Sequence, residues 1–167
     1  MIANLVCALS LVVFFILQTT IFSQARLISG AADLLLLFLI AWSLQEQMKN
    51  TWLWTVIAGL LVSLVSAMPF YAPLIGYLGV IAISKLLQRR VWRTPLLAML
   101  IVVILGTFIQ LTIYVIVLQI TGAPIAWAQS LDSVILPSAL LNLIFSLPMY
   151  AIVNDLAGRI SPLEVEA

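Results

Sequence analysis

Six long apolar runs, separated by short polar joints, take up almost the whole chain. They fall at residues 2–22, 31–45, 51–67, 74–87, 95–121 and 134–156. A run of about 20 apolar residues with few charges is long enough to cross a bilayer, and in hydrocarbon a helix can satisfy its own backbone. With 65% hydrophobic and 8% charged residues, the chain lacks the polar surface that a water-soluble domain needs. The expected fold class is therefore an all-α polytopic membrane protein, with residues 1–167 forming a single domain of six transmembrane helices. Six helices of about 20 residues use roughly 120 positions, so no soluble catalytic module is expected.

The joints are short. Residues 23–30 carry Arg26, and residues 46–50 carry Lys49. Residues 68–73 hold Pro69 and Pro73, which read as a tight hairpin because proline disfavours a helix interior. Residues 122–133 form the longest expected loop, and Gly158 is placed to cap the last helix. No Lys or Arg precedes the first run, which is also longer than the apolar part of a signal peptide; it is expected to be a retained helix.

Orientation follows from the basic residues. Lys85, Arg89, Arg90 and Arg93 cluster at the joint between the fourth and fifth runs. Basic joints face the cytoplasm, which puts both termini there as well. Six of the seven Lys and Arg residues then lie inside, Arg26 being the exception. Trp42, Trp52, Trp54, Trp92 and Trp127 lie near run ends, as interfacial anchors do. The basic joint also suits anionic lipid headgroups. Four scattered charges give no support to nucleic-acid binding.

Few residues are equipped for chemistry. There is no histidine, so neither a Ser-His relay nor a His-based metal site is expected, and the single cysteine, Cys7, has no intrachain partner. The acidic residues Asp33, Glu46, Asp132, Asp155, Glu164 and Glu166 all fall at expected helix ends, loops or the tail. The chain is expected to be no enzyme and to need no cofactor or metal. Asp33 opens the second helix on its outer side, where a carboxylate meets the positive end of the helix dipole; a pair with Arg26 or a partner contact is the other reading.

Two kinds of packing residue stand out. Thr55, Gly59, Ser63 and Ala67 recur every four positions, a small-residue stripe that allows close helix approach in lipid. It serves either an internal neighbour or a partner. Gly76 and Gly79 suggest a second such face. Gln18, Gln110, Ser138, Asn142 and Ser146 are polar groups within apolar runs, expected to bond across helices.

Four stretches resemble the MreD family, small membrane subunits of the bacterial rod-shape machinery. They are Leu17-Gln18-Thr19-Thr20, Ala32-Asp33-Leu34-Leu35-Leu36-Leu37, Ala58-Gly59-Leu60-Leu61-Val62-Ser63-Leu64, and Leu136-Pro137-Ser138-Ala139-Leu140-Leu141-Asn142 with Leu147-Pro148-Met149-Tyr150. Ala32 stands where the family commonly has proline, and Ser63 where it has a second aspartate, so only Asp33 is carried over. The resemblance implies a scaffold in the cytoplasmic membrane that binds MreC. Through MreC it implies links to RodA, to a class-B penicillin-binding protein and to MreB filaments. The implied fold is similar to the S-components of energy-coupling-factor vitamin transporters, which makes a solute-binding subunit the alternative. S-components often carry an Ala-x-x-x-Ala pair on their first helix; Ala3 and Ala8 have a different spacing, which favours the scaffold.

Overall fold

The computed structural model describes residues 2–22, 30–45, 50–90 and 94–160. All regular structure among them is helical. Helix α1 is Ile2–Leu17 and runs on into a π turn, Gln18–Phe22. Then follow α2 Leu34–Leu44, α3 Thr51–Val65, α4 Tyr71–Arg90 and α5 Pro95–Ile120. The last helix, α6, begins as Trp127–Ser130, passes through a π turn at Leu131–Ile135 and continues as Leu136–Ile160.

Local chemistry sets the boundaries. Pro95 stands in the first turn of α5, where a missing N–H costs nothing. Gly122 has φ +88° just past α5. There the Ala123 N–H reaches Leu118 O and the Gly122 N–H reaches Gln119 O, a double closure of the helix end that a left-handed glycine permits. The α3–α4 turn is held by the Met68 N–H donating to Ser66 Oγ at 3.2 Å. Pro73 lies in the first turn of α4 rather than in the hairpin, again where no N–H is needed.

Helix α2 is the axis of the molecule. All eleven of its residues are buried, and it packs against each of the other five helices. The core gathers around it: Cys7 and Leu11 of α1, Ala58 of α3, Tyr77, Val80 and Ile81 of α4, Met99 and Val103 of α5, Met149 and Val153 of α6. Phe14 of α1 and Trp42 of α2 flank Phe38 at 5.2 and 5.5 Å between ring centroids. The α4–α5 pair is tight because Gly106 faces Val80; a Cβ at Gly106 would lie 2.6 Å from Val80 Cγ1.

The outer surface is apolar. Helix α1 buries only Cys7 and Leu11 and leaves Ile2, Leu5, Leu9, Val12 and Ile16 exposed. Leu97, Ile101, Leu105, Leu140, Ile144 and Leu147 extend that surface over α5 and α6. A soluble monomer rarely exposes more than a few hundred Å² of contiguous apolar surface. Among the described residues four helical stretches are long and apolar enough to cross a membrane: Ile2–Thr20, Tyr71–Gln88, Pro95–Ile120 and Trp127–Ile160. The chain reads as a helical membrane protein.

Several expectations change. Six helices form among the described residues, yet two are short: α2 has 11 residues and α3 has 15. At 1.5 Å per residue they reach about 16 and 22 Å, less than the roughly 30 Å of a hydrocarbon core. A buried helix is apolar all round and therefore looks like a span in sequence. The expected loop at residues 122–133 is cut to residues 121–126, because α6 starts at Trp127. Gly158 lies inside α6 rather than past its end. A Cβ at Gly79 would meet no atom within 4 Å, so Gly76 alone of that pair faces a neighbouring helix, through Gln110.

Candidate functional site

The start of a helix leaves its first N–H groups without partners. For a helix in the middle of a protein, those groups need partners from elsewhere in the chain. Asp33 caps α2 directly, its Oδ1 accepting from the Leu36 N–H at 3.0 Å. The Leu35 N–H donates to Gln18 Oε1 at 3.0 Å, from the π turn that ends α1. The Asp33 N–H donates to Asn142 Oδ1 at 2.8 Å, and the Ala31 N–H to Ser138 Oγ at 3.1 Å, both on α6. Gly30 lies so close to α6 that a Cβ there would meet Pro137 Cβ and Ser138 N at 2.7 Å.

The carboxylate is held from the other side. Tyr77 Oη of α4 donates to Asp33, 2.7 Å from Oδ1 and 2.8 Å from Oδ2. Gln110 Nε2 of α5 donates to Oδ2 at 3.0 Å and also lies 3.1 Å from Tyr114 Oη. Asn142 Nδ2 donates to Thr107 Oγ1 at 2.9 Å. Tyr77, Thr107, Gln110, Ser138 and Asn142 are each at most 3% exposed. Four helices are thus tied to the first turn of the fifth. Among the described residues no cation faces Asp33; neutral N–H and O–H donors hold it.

A cavity of about 220 Å³ opens beside this network, with Asp33, Gln18, Gln110, Tyr114, Ser138 and Asn142 in its wall. Asp33 opens a helix, as expected, and its partners lie within the bundle. Gln110, its partner, stands ten residues before the end of α5, about 15 Å along the axis.

The other end of α2 is closed by different chemistry. The last carbonyls of a helix lack donors and carry the negative end of its dipole. Lys85 Nζ of α4 donates to Ser43 O at 2.6 Å, and Gln88 Nε2 to Leu44 O at 3.2 Å. Lys85 Nζ also donates to Gln88 Oε1 at 3.1 Å. The buried Ser43 and Ser84 hydroxyls bond to each other.

The sequence candidates therefore divide. Gln18, Asp33, Gln110, Ser138 and Asn142 come together in one network. Ser146 is fully buried and donates to Leu143 O at 2.6 Å within its own helix. Of the small-residue stripe, Thr55 and Gly59 are buried, and a Cβ at Gly59 would stand 3.1 Å from Leu74 Cα of α4. Ser63 is half-buried and donates to Gly59 O at 2.6 Å, while Ala67 is exposed. Lys85 is a helix cap as well as a basic joint. Arg93, and the side chains of Arg89 and Arg90, lie outside the described residues, as does Arg26 with its suggested pair to Asp33. Asp155 and Arg159 form an exposed pair at 2.9 Å. Among the described residues no group of three or more His, Cys, Asp or Glu is placed to hold a metal ion. Tyr77, Thr107 and Gln88 do not stand out in the sequence; a lone tyrosine or threonine in an apolar helix carries no signal until its partner is known. No family model, curated protein or solved structure matches the chain.

Proposed function

We propose that this chain is a non-enzymatic scaffold of the bacterial wall-elongation complex, a six-helix protein of the cytoplasmic membrane with both termini inside. In this reading it binds the membrane helix of MreC. Through MreC it is linked to RodA and a class-B penicillin-binding protein, with MreB on the cytoplasmic side. One observation carries the proposal. Three of the four stretches that resemble the MreD family supply Gln18, Asp33, Ser138 and Asn142, and these residues meet at the start of α2. The shared residues hold the chain's own helices together, as the motif of a scaffold would. The Asp33 oxygens already accept from Leu36, Tyr77 and Gln110, so this carboxylate is engaged in tying helices together.

The partner face is narrowed by the same packing. Gly59 is covered by α4, so a docking helix would use the Ser63–Ala67 end of the stripe or the exposed apolar face of α1. The cavity beside Asp33 favours a second reading, the solute-binding S-component. Its volume of about 220 Å³ falls below the roughly 300–1,000 Å³ of small-molecule sites, so the scaffold is preferred. Co-purification in mild detergent separates the two: stoichiometric MreC is expected, and a stoichiometric vitamin without MreC would overturn the scaffold. The orientation is tested with Cys7→Ser as background. A cysteine at Gln88 is expected to resist an impermeant thiol reagent added to intact cells, and its labelling would reverse the topology.

A further inference from the structure

We propose that a second cavity, at the Lys85 end of the bundle between α3 and α4, holds the phosphate of one anionic phospholipid. The cavity measures about 510 Å³ and is lined by Trp52, Ala82, Lys85, Leu86 and Gln88. Its polar wall offers donors. Lys85 Nζ has given two of its N–H groups to Ser43 O and Gln88 Oε1, and an ammonium has three. Gln88 Oε1 is taken by Lys85 and one of its amide N–H groups by Leu44 O, so its remaining N–H is what it has to offer. Among the described residues no carboxylate lines the space.

Two further features of this end ask for acceptors. Helix α3 begins at Thr51, and the Asn50 side chain does not cap it; helix starts favour anions. Among the described residues the buried side-chain polar atoms left without a partner are Trp42 Nε1, Thr51 Oγ1 and Trp54 Nε1. All three belong to the last turn of α2 or the first turn of α3. They are not in the cavity wall, but two of them, the indole N–H groups, are donors with no acceptor among the described residues.

The rim explains why the occupant is a lipid rather than free phosphate. Trp52 is 48% exposed and Leu86 is 64% exposed, flanking the donors with apolar surface. Leu53, on the same turn as Trp52, is exposed too. A ligand seated here needs an anionic head for Lys85 and a hydrocarbon body for Trp52 and Leu86. Indole rings favour that boundary, and anionic headgroups attract basic residues at it.

Native mass spectrometry of the full chain, released from detergent after exposure to phosphatidylglycerol or phosphatidylcholine, tests the site. One phosphatidylglycerol per chain is expected to be retained in preference to phosphatidylcholine. Lys85→Met keeps the apolar stem and is expected to lower that retention about fivefold, the worth of one basic residue at an anionic surface. Trp52→Ala lies outside the α2 cap and is expected to lower retention of both lipids, so it decides the matter should Lys85→Met fold poorly. Equal retention of the two lipids by the unaltered chain would overturn the proposal, as would unchanged retention in Trp52→Ala. Displacement of the lipid by a glutamate-rich peptide at equal concentration would assign the cavity to an acidic protein instead, and inorganic phosphate competing equally well would remove the role of the apolar rim.

Discussion

The two ends of α2 solve the same problem with different means. At the start, Asp33 and uncharged groups from α1, α4, α5 and α6 form a closed set, and every buried polar atom named there has a partner. At the finish, one half-buried cation and one amide, both from α4, serve the last carbonyls, and among the described residues two buried indole N–H groups and one hydroxyl nearby have no partner. Buried polar groups that lack partners are costly, and natural proteins leave few of them. The Asp33 end is complete in itself. Among the described residues, the Lys85 end leaves polar atoms without partners.

The comparison can be broken by experiment. Asp33→Ala should have the largest effect, because it removes the helix cap and strands the buried Tyr77 and Gln110 donors. A cap is worth about 0.5–2 kcal/mol and a stranded buried group about 1–3 kcal/mol, so a loss of about 3 kcal/mol or more is expected in detergent unfolding. Gly30→Ala comes next. Its new methyl has to displace α6 backbone at Ser138, and overpacking costs about 1–3 kcal/mol, read as a drop in thermal midpoint. Lys85→Met should cost less, about 1 kcal/mol for a cation at a helix C-terminus. A larger loss than Asp33→Ala would show that the Lys85 end, not the Asp33 end, anchors α2. Arg159→Ala is the control. Its exposed pair with Asp155 should contribute no more than about 0.5 kcal/mol, within the error of the same melts.

Much of this architecture is legible in sequence, and the parts that are not have physical reasons. The apolar runs locate all six helices, because a bilayer and a buried core both demand apolar side chains. That shared demand is also why α2 passes for a span. Only its surroundings show that it faces protein on every side. The Trp127–Ser133 stretch reads as loop because Gln129, Ser130, Asp132 and Ser133 are polar, yet they continue a helix. Gln18, Asn142 and Gln110 stand out because an amide in an apolar run needs a partner. Tyr77 does not, since a tyrosine there also passes for a packed aromatic. Lys85 reads as one with the arginines that follow it, because charge alone marks topology; its role as a cap depends on α2 ending 2.6 Å away.

The π turn in α6 has a consequence for chain length. At Leu131–Ile135 the Leu136 N–H reaches back five residues to Leu131 O, taking in one residue more than an α turn. It stands just before Pro137, which has no N–H and whose ring would press on the carbonyl of Ser133, four residues back, in a regular helix. One added residue turns everything upstream by about 100° against the Ser138–Asn142 stripe. Deleting one residue within Leu131–Ile135 should therefore be absorbed as a return to α geometry. The same deletion between Ser138 and Asn142 would swing one of them off α2. Within α6, tolerance to a change of length is concentrated in that single turn.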